Sequence, residues 1–192
     1  MNLKKISLLV LLLVIADQAL KIWVKTHMHL DESITVFPDW FQLHFIENKG
    51  AAFGMRLSLG DTYDWGKLLL GLFRIALVSV IGWFTAHLYR SRPDTPKGVF
   101  VGLALILAGA LGNILDSAFY GLLFSESTPY TVAEFGGHYA GFMMGKVVDM
   151  FYFPLFQWEN VPRLLEFLVD RNNYFFGAVV YLLVFQFRFF SK

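Results

Sequence analysis

Four long apolar stretches, residues 6–24, 65–88, 98–124 and 174–190, constrain this chain more than any other feature. A bilayer core of about 30 Å is crossed by about 20 apolar residues in a helix. Hydrocarbon supplies no water to a stray N–H or C=O, so a spanning segment must bond all of its own backbone. Four transmembrane helices are therefore expected. The chain of 192 residues is 56% hydrophobic with mean hydropathy +0.53, against about 45–50% apolar in soluble domains. The expected fold is a membrane all-α bundle with a small β element, forming one domain over residues 1–192.

The remaining composition excludes several classes of function. A net charge of +1 with no basic cluster argues against a nucleic-acid partner. No cysteine is present, which removes disulfides, a thiol nucleophile and Cys-ligated metal. His27, His29, His44, His87 and His138 are scattered, with no H-E-x-x-H pair. Neither a metal nor a cofactor is expected. Lys4 and Lys5 before the first apolar run imitate a secretory signal. Asp17 and Lys21 interrupt that run, however, and no small-x-small site follows it, so a retained helix is expected.

Lys4 and Lys5, then Arg90, Arg92 and Lys97, then Arg188 and Lys192 mark three short flanks as cytoplasmic. Both termini are then inside, and the longer segments 25–64 and 125–173 face outward. Asp17 and Lys21 fall in the outer part of the first span, and Asn113 and Asp116 in the outer part of the third. Arg74 lies about 13 Å into the second span at 1.5 Å per residue. The intramembrane charges thus share one depth. Ionisable groups are rare in membranes and mark functional sites.

Asp17 and Lys21 stand four residues apart on one helix face, acid first. They are either a self-neutralising pair that eases insertion or a brace beneath the outer loops. Residues 41–45 alternate like a half-buried strand. They lead into Glu47-Asn48-Lys49-Gly50-Ala51-Ala52-Phe53-Gly54, where small residues offer backbone, and Asn48 an amide, to an extended peptide. Ala108 and Gly112 form a small-xxx-small face on the third span, and Asn113 and Asp116 point into that packing. Asp149, in Val147-Val148-Asp149, and Asp170 lie at either end of one outer segment in apolar surroundings. Two carboxylates brought together share a proton, so one can take a proton from water while the other protonates the leaving group.

In order and topology, Asp17-x-x-x-Lys21, Asn48-x-Gly50-Ala51-Ala52-Phe53, Gly112-Asn113-x-x-Asp116 and Val147-Val148-Asp149 resemble bacterial lipoprotein signal peptidase (signal peptidase II), an aspartyl protease of the inner membrane. The resemblance covers all four apolar stretches. It implies removal of signal peptides from diacylglyceryl-modified prolipoproteins, with the active site towards the outer face. It assigns catalysis to Asp149 and Asp170, and supporting roles to Asn48, Gly50, Ala51, Asn113, Asp116, Asp17 and Lys21. An outer β-like cradle and surface helix are implied, and the partners are lipidated prolipoproteins and membrane lipids. Four spans can pack alone, so a monomer is expected.

Two departures from the family pattern stand out. Ser117 follows Asp116 where the family commonly has Arg, and Arg74 at similar depth is a candidate replacement, paired with Asp116. The family's second aspartate usually lies in F-N-x-A-D before the last helix. Here the similar stretch from Phe153 to Asn160 would put Asn160 at that place, and an amide cannot cycle a proton. Asp170, adjacent to the last span, keeps the acid and is preferred. The alternatives are an impaired relative that binds lipidated peptides and a small transporter. Against a transporter, the charges stop at mid-depth and no inverted repeat is visible. Gly-x-Ser-Gly and Gly-x-Gly-Asp, which mark other intramembrane proteases, are absent. The glycine-bearing loop 125–145 is expected as a mobile flap.

Overall fold

A computed structural model describes residues 2–38, 40–48 and 65–153. Three of its helices are long and apolar enough to cross a membrane: α1 Leu3–His27, α2 Trp65–Ser91, and the run Lys97–Leu123 that begins with α3 Lys97–Leu115. Each extends the expected span by a few residues or matches it. The expected fourth span, 174–190, lies outside the described residues, as do Gly50, Ala51, Asn160 and Asp170. The helices turn large apolar side chains outward, among them Leu11 and Leu12 on α1 and Leu72, Phe73 and Trp83 on α2, each more than half exposed. Lipid is the solvent that makes such a surface favourable.

α1 packs chiefly against α3, and α2 packs against α3 as well. Close approach of α1 and α3 depends on Gly112, where a Cβ would collide with the Asp17 carboxylate. Beyond α3 the helix widens into a π-helical turn, Asp116–Tyr120, and finishes with Gly121–Leu123.

Three strands rich in β-branched and aromatic residues form one antiparallel sheet in chain order: β1 Ser33–Phe37, β2 Phe41–Asn48 and β3 Val147–Tyr152. The expected strand at 41–45 is thus longer, and it acquires two partners. Within β2–β3, Ile46 faces Asp149, Glu47 faces Val148 and Asn48 faces Val147, with a register shift between Leu43 and Ile46. Phe45, Val148 and Met150 pack inward on Val24, Met28, Tyr120 and Phe124. The sheet therefore rests on the last turns of α1 and on the end of the third apolar run.

The loop after Leu123, where a mobile flap is expected from the glycines, is bonded along its length to the end of the third apolar run and to its neighbours. Backbone N–H groups of Gly136, Ala140, Met143 and Gly145 donate to the carbonyls of Leu123, Gly121, Ala118 and Ser117. Gly145 sits so close that a Cβ would strike the Asp116 carbonyl. The Lys67 ammonium also donates to the Met144 carbonyl at 2.6 Å.

Candidate active site

Asp116 is fully buried and accepts three hydrogen bonds. Lys21 Nζ reaches Oδ2 at 2.7 Å, the Val148 backbone N–H reaches the same oxygen at 3.2 Å, and Gln18 Nε2 reaches Oδ1 at 2.9 Å. Lys21 also donates to Asn113 Oδ1 at 2.9 Å and lies 3.4 Å from Asp17 Oδ2. Gln18, which the sequence reading passed over, bonds Asp17 and the Gly112 carbonyl and accepts from the Tyr120 hydroxyl. Asp17, Lys21, Asn113 and Asp116 thus form one knot between α1 and α3. Its central ion pair is Lys21–Asp116, so the self-neutralising Asp17–Lys21 pair considered from sequence is only a secondary contact. A buried charge is tolerable only when paired and hydrogen-bonded, and Asp116 meets both conditions.

That knot also carries the sheet. The Val148 N–H bond to Asp116 links α3 to β3 one residue before Asp149. Because successive strand residues face opposite ways, burial of Val148 and Met150 turns Asp149 to the other face, where it is partly exposed. Ile46, its cross-strand partner, lies on that face, and so does Asn48, two residues further along β2. Asn48 is thus the diagonal neighbour of Asp149 on that face, where its side chain favours the ionised carboxylate. Burial pushes the Asp149 carboxyl above the usual carboxylate range; Lys21 pulls it back, Asp116 adds to the rise, and Arg74 and the Asn48 side chain oppose it. A carboxyl raised above its ordinary range in a partly exposed place is the kind of group that carries proton transfer.

Arg74 does not serve as the direct partner of Asp116, because Lys21 occupies that place at 2.7 Å. Arg74 Nη1 instead donates to Ser117 Oγ at 3.4 Å, and its charge acts on both Asp149 and Asp116. The expectation of a cation at this depth holds, while its pairing is corrected.

A second polar cluster escaped the sequence reading. Glu47, which opens the Glu47–Gly54 stretch, has a side chain 1% exposed. It pairs with Lys25 Nζ and, through Oε2, with Lys146 Nζ at 3.2 Å. Ser127 Oγ donates to Glu47 Oε1 at 3.0 Å and accepts from Lys25 at 2.9 Å, and Lys146 reaches Glu126 at 2.7 Å. The Tyr139 ring lies beneath both ammonium groups, and its hydroxyl accepts from the Lys146 backbone N–H. Burial opposes the Lys146 charge, yet Glu126 and Glu47 together hold the ammonium above its ordinary range. One signal was available in the sequence: Lys25 follows Lys21 by four residues and so continues the Asp17–Lys21 face. Among the described residues, no cluster of His, Cys, Asp and Glu has the makings of a metal site.

Comparison with known proteins identifies the family. The family model for signal peptidase (SPase) II matches residues 9–188. The lipoprotein signal peptidase of Porphyromonas gingivalis is 46% identical over 179 residues, covering 92% of this chain and 74% of the relative. That of Amoebophilus asiaticus is 36% identical over 167 residues, covering 86% and 64%. A solved structure described as a bacterial membrane enzyme superposes with a TM-score of 0.54 at 19% identity, covering 100% of this chain and 95% of its own. That likeness concerns the fold alone. By the family match and the identity to its relatives, this membrane protein belongs to the signal peptidase II family and is a peptidase of lipoprotein signal-peptide processing.

Proposed function

We propose that the chain is an aspartic endopeptidase, acting as a single membrane domain, which cuts signal peptides from diacylglyceryl-modified prolipoproteins by attack of an activated water. The observation that carries this reading is the placement of Asp149. It is partly exposed at the sheet face, supported by Asn48 and backed by the Lys21–Asp116 knot. Asp170 is the proposed second acid. The ionised member of the pair takes a proton from water, and the protonated member delivers one to the departing amine, with no covalent intermediate. Gly50 and Ala51, beside Asn48 in sequence, are proposed to offer backbone to the extended substrate. Four spans, both termini inside and the site towards the outer face of the cytoplasmic membrane complete the proposal. The chain works as a monomer among membrane lipids.

The test is cleavage of a diacylglyceryl-modified proprotein, followed by gel shift, for wild type, Asp149→Asn, Asp170→Asn and Asn160→Asp. Loss of cleavage in both aspartate variants with an active wild type supports the dyad. A silent wild type that Asn160→Asp awakens would move the second acid to residue 160 and leave the natural chain a binder of lipidated peptides.

A further inference from the structure

The Lys25–Glu47–Lys146 cluster lies outside the proposed chemistry, yet it grips both strands of the site at its edge. Glu47 immediately precedes Asn48 on β2, and Lys146 stands three residues before Asp149. Asn48 and Val147 form the last pair of the β2–β3 ladder, which is where a ladder frays. Glu47 and Asn48 point to opposite faces, so pinning the inward Glu47 fixes the roll of the strand and the aim of the outward Asn48. Packing alone is a poor reason for such a cluster. Removing ions of this kind from water is costly, and apolar residues of similar volume are often equally stable.

We propose that Glu47 is a positioning residue of the reaction, clamped between Lys25 and Lys146 so that the Asn48 amide stays on the Asp149 carboxylate. The proposal rests on reading Asp149 as an acid of the reaction, but its geometry is measurable without cleavage. The charged groups that act on Asp149 are Lys21 on α1, Arg74 on α2 and Asp116 at the end of α3. Those that face Glu47 are Lys25 on α1 and Lys146 before β3, with Glu126 beyond Lys146.

The experiment follows the Asp149 carboxyl by 13C NMR titration in detergent micelles, and in parallel the pH dependence of cleavage. The variants are Glu47→Gln, Lys25→Met/Glu47→Gln and Asn48→Ala. Loss of a negative charge by itself would make Asp149 easier to ionise and move its titration down. Loosening Asn48 removes its support of the ionised form and moves the titration up. The expected result is an upward move in Glu47→Gln and in the nearly charge-neutral double variant, in the same sense as Asn48→Ala. The acid limb of kcat moves with it, kcat at neutral pH falls about tenfold and KM stays within about twofold. A downward move in Glu47→Gln, or a double variant that titrates like wild type, overturns the proposal. If Glu47→Gln does not fold, the double variant decides by the same two readings. If the NMR shifts occur while wild type cleaves nothing, the positioning stands and the catalytic reading falls.

Discussion

Removing the Lys21 ammonium while leaving its partners in place is the sharpest perturbation of this molecule. In Lys21→Met, Asp116 keeps Gln18 at 2.9 Å and the Val148 N–H at 3.2 Å but loses its cation at 2.7 Å, the one direct cation among the described residues. Stranding a buried charge in this way costs about 3–5 kcal/mol. In Asp116→Asn, by contrast, Lys21 retains Asp17 at 3.4 Å and Asn113 at 2.9 Å, so its charge is not abandoned. The loss there is expected near a single charge-assisted hydrogen bond, about 1.5–3 kcal/mol. The double variant Lys21→Met/Asp116→Asn no longer strands a carboxylate. It should be more stable than the sum of the single losses implies, with a coupling of about 1.5–3 kcal/mol. Reversible unfolding in mixed micelles, read by tryptophan fluorescence, measures all four proteins. Losses that add to within about 0.5 kcal/mol, or a heavier loss in Asp116→Asn than in Lys21→Met, would refute the knot as described.

Three further outcomes follow from the site. Because burial raises the folded-state Asp149 carboxyl above its unfolded value of 3.8, the folded protein carries a penalty once pH climbs through the raised value. Asp149→Asn should therefore melt higher than wild type at pH 7, with the gap closing towards pH about 4; a gap independent of pH, seen in thermal scans, contradicts the environment assigned to Asp149. Gly145→Ala places a Cβ against the rigid Asp116 carbonyl, so a loss of about 1–3 kcal/mol is expected, and a neutral result in the same unfolding assay means the loop does not dock there. Arg74→Met removes a cation that favours ionised Asp149, so the acid limb of the cleavage profile should move to higher pH, while Arg74→Lys should move it less. Coincident limbs in all three proteins would show that Arg74 does not act on Asp149.

The helices were legible because hydropathy is a local property: the stretch expected at 6–24 is the core of α1 Leu3–His27. The shared depth of Lys21, Asn113 and Asp116 was legible for a related reason, since depth follows from counting residues along each span once orientation is set. Pairing was not legible. Depth admits Arg74 and Lys21 equally as partners of Asp116, and only the packing of α1 on α3 decides for Lys21. The burial of Glu47 was not legible because its partners, Lys25, Lys146 and Ser127, stand 22 to 99 residues away in sequence. β3 lacked a clean alternation, with Val147, Val148 and Met150 all buried, so its strand character emerged only from its partner β2.

The π-helical turn Asp116–Tyr120 has a consequence for how this protein tolerates change. A turn of this kind holds about one residue more than an α-turn, and each residue advances a helix by about 100°. Everything after it, including the Gly121 and Leu123 carbonyls that hold the loop, occupies a phase set by that extra residue. Substitutions leave the phase intact, whereas deleting any one residue from the turn would swing all of these groups round together. At this place the protein's specification is a number as much as a set of letters.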